Sequence, residues 1–165
     1  IGGTMCEKAR HLFGRVLAAD PYIPDEKFGR HGAEKSSLEN LLEKSHVISL
    51  HCNLTEETRK LLDREAFSLM GQQPVVVNTS RGPVIDADAL LEAAKKNRIH
   101  SAGIDVYENE PAGERQEGLV AHPRIITTGH YAWYSDRAIG IMQKKAADNL
   151  AAMLKGEVIE DLLNP

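Results

Sequence analysis

The chain reads as an α/β protein with a doubly wound, mostly parallel sheet, and three observations carry that reading. Apolar strand-like runs at HVISLHC (46–52), PVVVN (74–78), IHSAGIDV (99–106) and RIITTG (124–129) alternate with helical patterns. Runs this apolar read as buried strands of a parallel sheet covered by helices. The segments between them are long enough for right-handed helical crossovers. Each run also ends in polar groups, and in an open parallel sheet ligands sit in the crevice beyond the carboxyl ends of the strands. No internal repeat or low-complexity segment breaks the alternation.

Taken in order, Thr4 to Phe13 is predicted as a helix leading into a strand over RVLAAD (15–20). Ser36 and Glu39 have capping-box spacing ahead of LENLLEKS, which predicts a short helix feeding the strand at 46–52. DREAFSLM (63–70) gives the next crossover. After PVVVN, the acidic first turn and basic last turn of DADALLEAAKKN (86–97) complement a helix dipole. Ser135 is predicted to cap a long helix in which Ile139, Met142, Ala146, Leu150 and Met153 form one stripe, ending at Gly156. Such a stripe ordinarily means core packing. The opening is anomalous, because Ile1-Gly2-Gly3 runs through a helix straight into a strand, with no strand ahead of it as a βαβ unit needs. The expected architecture is Rossmann-type and lacks its first strand, with a dinucleotide-binding domain over 1–155 and a closing segment over 156–165.

Composition narrows the function classes. With 165 residues, 42% hydrophobic and 27% charged, the chain suits one soluble domain with a sizeable core. A formal charge of -4, with acids and bases interspersed, offers no basic field for nucleic acid. No apolar run approaches the ~20 residues that span a bilayer, and Ile1 onward lacks the pattern of a secretory signal. A cytoplasmic protein without membrane partners is expected. Cys6 and Cys52 are too few for a disulfide framework and have no metal-ligand spacing, so reduced thiols and no metal are expected.

The chemistry lies at the strand ends. Asp20 closes RVLAAD, where a dinucleotide fold places an acid that accepts hydrogen bonds from the adenosine ribose hydroxyls; taken alone it reads more readily as a turn aspartate before Pro21, since Asp-Pro commonly opens a loop. An acid there repels a 2′-phosphate and favours NAD over NADP. Of a glycine-rich loop only Ile1 and Gly2 are legible. Arg81 in NTSRG follows a strand end and precedes Gly82, so its five fixed donors can meet a carboxylate or 2-keto acid bidentately. Glu110 in DVYENEP calls for a partner, and His130 is the natural one. A carboxylate on Nδ1 fixes the tautomer and leaves Nε2 to exchange a proton with a substrate oxygen. An anion clamp, a general acid/base and its orienter are together the parts needed to reduce a 2-keto acid by hydride transfer, the cofactor supplying the hydride. Asp105 has two readings, a partner for the nicotinamide carboxamide or for a backbone amide. Trp133 walls the substrate pocket or packs as an ordinary aromatic, alongside Tyr134. His51, Cys52, Thr55 and Thr58 surround the strand end at 46–52 as cofactor contacts, and Cys52 is not expected to act as a nucleophile. His11, His31 and His122 read as surface residues.

The segments SLHCNLTEETRKLL, VVVNTSRGPVIDADALLEA, SAGIDVYENEP and HPRIITTGHYAWYS resemble the D-isomer-specific 2-hydroxyacid dehydrogenases over essentially all of 1–165. The spacings of 29 from 81 to 110 and 20 from 110 to 130 match that family's Arg, Glu and His. The resemblance implies that Arg81 binds substrate, Glu110 supports the histidine and His130 donates the proton. It implies NAD contacts from Ile1, Gly2, Asp20, Cys52, Asn53, Leu54, Thr58, Thr79, Ser80, Arg81, Asp105, His130 and Trp133, and a homodimer. The His-x-Ala-Trp-Tyr-Ser form looks most like the C-terminal-binding-protein branch, which leaves an NAD-sensing corepressor as the alternative role. Two departures stand out: Gly129 replaces the usual Pro before the histidine, predicting a freer loop, and Gly14 sits one place late. The family's substrate domain has no counterpart here, so a fragment inactive or nearly so by itself is expected.

Overall fold

The computed structural model describes residues 1–113 and 116–159. Helix α1 (Gly2–Ala9) starts and stops earlier than Thr4 to Phe13, and β1 (Leu17–Ala18) is two residues rather than the six of RVLAAD. The reason is pairing: β1 has one neighbour, β2 (Glu34–Lys35), itself only two residues long. Between them lies α2 (Asp25–Arg30), which buries Phe28. Helix α3 (Leu38–Lys44) is capped by Ser37, not Ser36. An N-cap oxygen must reach the amide three residues on, and Asn40 N–H donates to Ser37 Oγ at 3.2 Å, while Ser36 Oγ accepts from the Asn40 side chain.

The main sheet is formed by β3 (Val47–Leu50), β4 (Val75–Asn78), β5 (Ser101–Ile104) and β6 (Ile125–Thr127), all parallel and in that order. The crossovers use α4 (Arg64–Leu69), α5 (Ala87–Lys95) and the short α6 (Glu117–Val120). Asp63 and Asp86 cap α4 and α5 with their carboxylates. The pair β1–β2 forms a second, two-stranded parallel sheet. Ile48, Leu50, Val76, Ala102, Ile104 and Ile125 bury one face of the sheet with Leu62, Phe67, Leu90 and Ile99. Burial alternates along β3, β4 and β5, so the second face is only partly covered and the strands are not buried on both sides.

Two compact units divide the chain, Ile1–His130 and Tyr131–Pro165. The second contains α7 (Asp136–Lys155), started by a hydrogen bond from Ala138 N–H to Ser135 Oγ and ended by left-handed Gly156. Its predicted stripe is not core. No residue of α7 is buried, and Met142, Leu150 and Met153 are 51%, 59% and 60% exposed. Its caps and the Lys144–Asp148 pair one turn apart support the helix instead. No helix among the described residues is long and apolar enough to cross a membrane.

Candidate active site

Strand register puts the chemistry along one edge. Leu50 pairs with Asn78, Asn78 with Ile104 and Ile104 with Thr127, so the four strands finish level. The residues that follow, at 51–58, 79–82, 105–110 and 128–130, therefore emerge side by side.

The turn after β4 is held by Asn78, a polar side chain with 1% exposure. Its Oδ1 accepts from Ser80 N–H at 3.0 Å and Ser80 Oγ at 2.8 Å, and its Nδ2 donates to the Arg81 carbonyl at 3.0 Å. The exposed Arg81 side chain leaves this rigid turn and donates from Nη1 to the Ser80 carbonyl at 2.7 Å. Gly82 follows because nothing larger fits. A Cβ there would lie 2.0 Å from the Tyr107 carbonyl carbon and 2.1 Å from its oxygen, so the β4 turn presses directly on the chain leaving β5.

Glu110 and His130 meet as predicted, with His130 Nδ1 2.7 Å from Glu110 Oε2. The other carboxylate oxygen accepts the Tyr107 amide at 3.1 Å. Both side chains are partly open, at 37% and 40% exposure. The His130 hydrogen bond, then the Tyr107 amide, hold the Glu110 carboxyl below the usual carboxylate range, with a further contribution from the positive charge of Arg81. Gly82, next to Arg81, packs on Tyr107, whose amide holds Glu110, so the two turns are adjacent. His130 itself adopts φ +64, in the left-handed region that residues with a Cβ seldom occupy.

The opposite end of the edge carries the residues with predicted cofactor roles. Ile1 caps α1 without a side-chain hydrogen bond, and the first turn has no acid. Gly2 lies against His51, whose β-carbon would be 3.5 Å from an added Cβ. Asp20 is exposed and accepts the Tyr22 amide at 2.9 Å, while the Tyr22 hydroxyl hydrogen-bonds Glu57. The Tyr22–Glu57 hydrogen bond joins the loops that follow β1 and β3, and burial pushes the Cys52 thiol above its usual value, with the Asp20 charge adding to this, so Cys52 is no activated nucleophile. His51 bonds Ser49 at 2.9 Å, and burial holds it below the usual histidine range.

Thr58 Oγ donates to the Asn53 carbonyl and accepts the Thr55 amide, closing the 53–58 loop, with Leu54 packed on the core. Thr79 is exposed, whereas the Ser80 hydroxyl is committed to Asn78. Asp105 is buried and its carboxylate accepts the Thr128 hydroxyl at 2.5 Å. Trp133 belongs to the second unit, where its ring meets Tyr134 edge-on at 5.4 Å. Of the residues outside the site, His31 pairs with Glu7 and His122 accepts the Arg124 amide. The sequence reading overlooks Asn78 and Tyr107. A lone polar residue closing the apolar run PVVVN is a usable signal for the first; Tyr107 gives none.

A model of the "D-isomer specific 2-hydroxyacid dehydrogenase, NAD binding domain" matches residues 1–132. A glyoxylate/hydroxypyruvate reductase B of Erwinia tasmaniensis is 37% identical over 171 residues, covering 100% of this chain and 51% of the relative. One from Enterobacter agglomerans is 33% identical over 166 residues with the same coverage. Among solved structures, apo D-lactate dehydrogenase from Escherichia coli superposes with a TM-score of 0.85 at 38% identity, over 99% of this chain and 51% of that one. The chain thus spans about half the length of these relatives. A parallel sheet whose level strand ends present Arg81, Glu110 and His130, together with these matches, leads to one assignment: the chain belongs to the D-isomer specific 2-hydroxyacid dehydrogenases, as their NAD-binding domain.

Proposed function

We propose that this chain is the cofactor half of an NAD-dependent dehydrogenase that interconverts small 2-keto and 2-hydroxy acids. The observation that carries the reading is the 2.7 Å Glu110–His130 contact beside the turn bearing Arg81. The cofactor residues fit NAD. The α1 amino end presents amides uncontested by side chains, as a pyrophosphate needs, and Asp20 offers an exposed carboxylate to ribose hydroxyls. When bound, NADH supplies the hydride that reaches C2 of the keto acid.

The chain's own residues do the rest. Arg81 holds the substrate carboxylate with its planar fork of donors. With Nδ1 on Glu110, His130 has Nε2 to give the C2 oxygen a proton as the ketone is reduced, and to take it back in the reverse direction. Glyoxylate and hydroxypyruvate, which the names of the reductase relatives specify, are the first substrates to try. The relatives' names favour an enzyme over a corepressor role. A homodimer in the cytoplasm completes the reading.

In the full-length protein carrying these residues, NADH oxidation should follow addition of either keto acid. His130→Gln should lower kcat by about 10²- to 10⁴-fold while NADH still binds, read by fluorescence titration. Turnover that survives this substitution overturns the assignment.

A further inference from the structure

Tyr107 follows the buried Val106 just past β5, half-buried, with its ring against the hydrophobic core. It makes three contacts, one to each turn that carries a candidate catalytic group. Its amide donates to Glu110 Oε1 at 3.1 Å. Its hydroxyl donates to the Thr128 carbonyl at 3.0 Å, two residues before His130. Its own carbonyl is the surface on which Gly82, next to Arg81, is packed too closely for any side chain.

These contacts differ in what they ask of the residue. Any amino acid supplies the amide and the carbonyl, and phenylalanine would supply the ring. Only tyrosine supplies the hydroxyl that ties the β5 loop to the β6 loop. That tie matters because His130 sits at φ +64, a conformation that persists only when its surroundings over-determine it. Thr128 is fixed from the other side by its hydroxyl on Asp105 at 2.5 Å and its amide on the Ile104 carbonyl at 2.9 Å. With the Tyr107 hydroxyl as third anchor, the short Gly129-His130 step starts from a fixed point and the imidazole is delivered to Glu110.

We propose that Tyr107 is a positioning residue of the dehydrogenase site, its hydroxyl keeping the His130 loop in register with Glu110. The role in turnover rests on the function proposed above; the role in geometry does not.

Tyr107→Phe in the full-length protein separates the two. Loss of this one hydrogen bond should reduce kcat roughly two- to tenfold, with KM for the keto acid and NADH affinity unchanged, because Arg81 and the cofactor rim are untouched. In nitrogen-15 NMR of the imidazole, the Nδ1 proton held by Glu110 should be sharp in the wild type, broadened in Tyr107→Phe and absent in Glu110→Ala. A side chain that merely fills space predicts no change in either readout, since phenylalanine fills the same space. Wild-type kcat together with an unaltered imidazole signal overturns the proposal. If the wild type reduces no keto acid, the function fails instead, and the imidazole signal alone decides whether Tyr107 sets the pair.

Discussion

Gly82→Ala probes the packing on which the whole site depends. The added Cβ would lie 2.0 Å from the Tyr107 carbonyl carbon, 2.1 Å from its oxygen and 2.5 Å from Glu108 N, against about 3.4 Å for an ordinary contact. The two backbones must therefore separate by about 1.4 Å. No side-chain rotation relieves this, because all three atoms are main chain. Overpacking of this kind costs about 1–3 kcal/mol, and at roughly 2–4 °C per kcal/mol for a chain of this size the melting temperature should fall by about 2–12 °C. Activity should suffer more than stability. The displacement moves Arg81 away from Glu110 and His130, and a misplacement near 1 Å can lower turnover about 10²-fold. Calorimetry and steady-state kinetics with NADH and a 2-keto acid measure both. A variant with kcat/KM within twofold of wild type would show that the close approach of the β4 and β5 turns does not set the catalytic geometry.

Two further substitutions test separate links. Glu110 has its folded pKa depressed, so the stabilisation it gives is present above the unfolded value of about 4.3 and is lost as pH falls through the lower folded value. Wild type should therefore exceed Glu110→Ala in denaturant stability at pH 7 by a margin that shrinks toward pH 3; a margin independent of pH contradicts the linkage. Asp86 caps α5 through the amides of Asp88 and Ala89 and pairs with Lys60 at 2.9 Å. Asp86→Ala should cost about 1–2 kcal/mol by thermal melting, and Asp86→Ser should recover most of that; equal losses in the two variants would mean the capping oxygen is not what matters.

What the sequence reveals here is burial and local capping. The runs at 46–52, 74–78, 99–106 and 124–129 are legible because β3 to β6 must be apolar on their core face, and Ser135 is legible because a cap acts within three residues, whereas Ser36 and Ser37 compete for one such role and the spacing selects the neighbour of the true cap. β2 is illegible because Glu34 and Lys35 are exposed and owe their conformation to β1 alone. The α7 stripe misleads because periodicity reports amphipathicity and not what covers it. Arg81, Glu110 and His130 stand out by residue type at strand ends. Asn78 is signalled only as a polar residue closing PVVVN, its bonds to Ser80 and Arg81 being local, whereas Tyr107 gives no signal because its role arises only when turns distant in sequence fold against each other.

The charge pattern along the carboxyl edge gives the site a direction. At the β1 and β3 end, Asp20 and Glu57 lie close enough to Tyr22 that both carboxylates raise its hydroxyl pKa, the Glu57 hydrogen bond contributing most. At the β4 to β6 end stand Arg81 and His130, with Glu110 as the only acid in hydrogen-bond contact with that histidine among the bonds described. The exposed Asp20 carboxylate at the first end can accept hydroxyl donors, while the second end carries a guanidinium whose donors match a carboxylate. A ligand pair consisting of a ribose-bearing cofactor and a small carboxylate therefore has one favourable order along the crevice. In the proposed function the ribose hydroxyls would lie by Asp20 and the substrate carboxylate by Arg81. The low-lying Glu110 has a local cause: its carboxylate is engaged by His130 and the Tyr107 amide, which in the proposed function leaves the Arg81 guanidinium for the substrate.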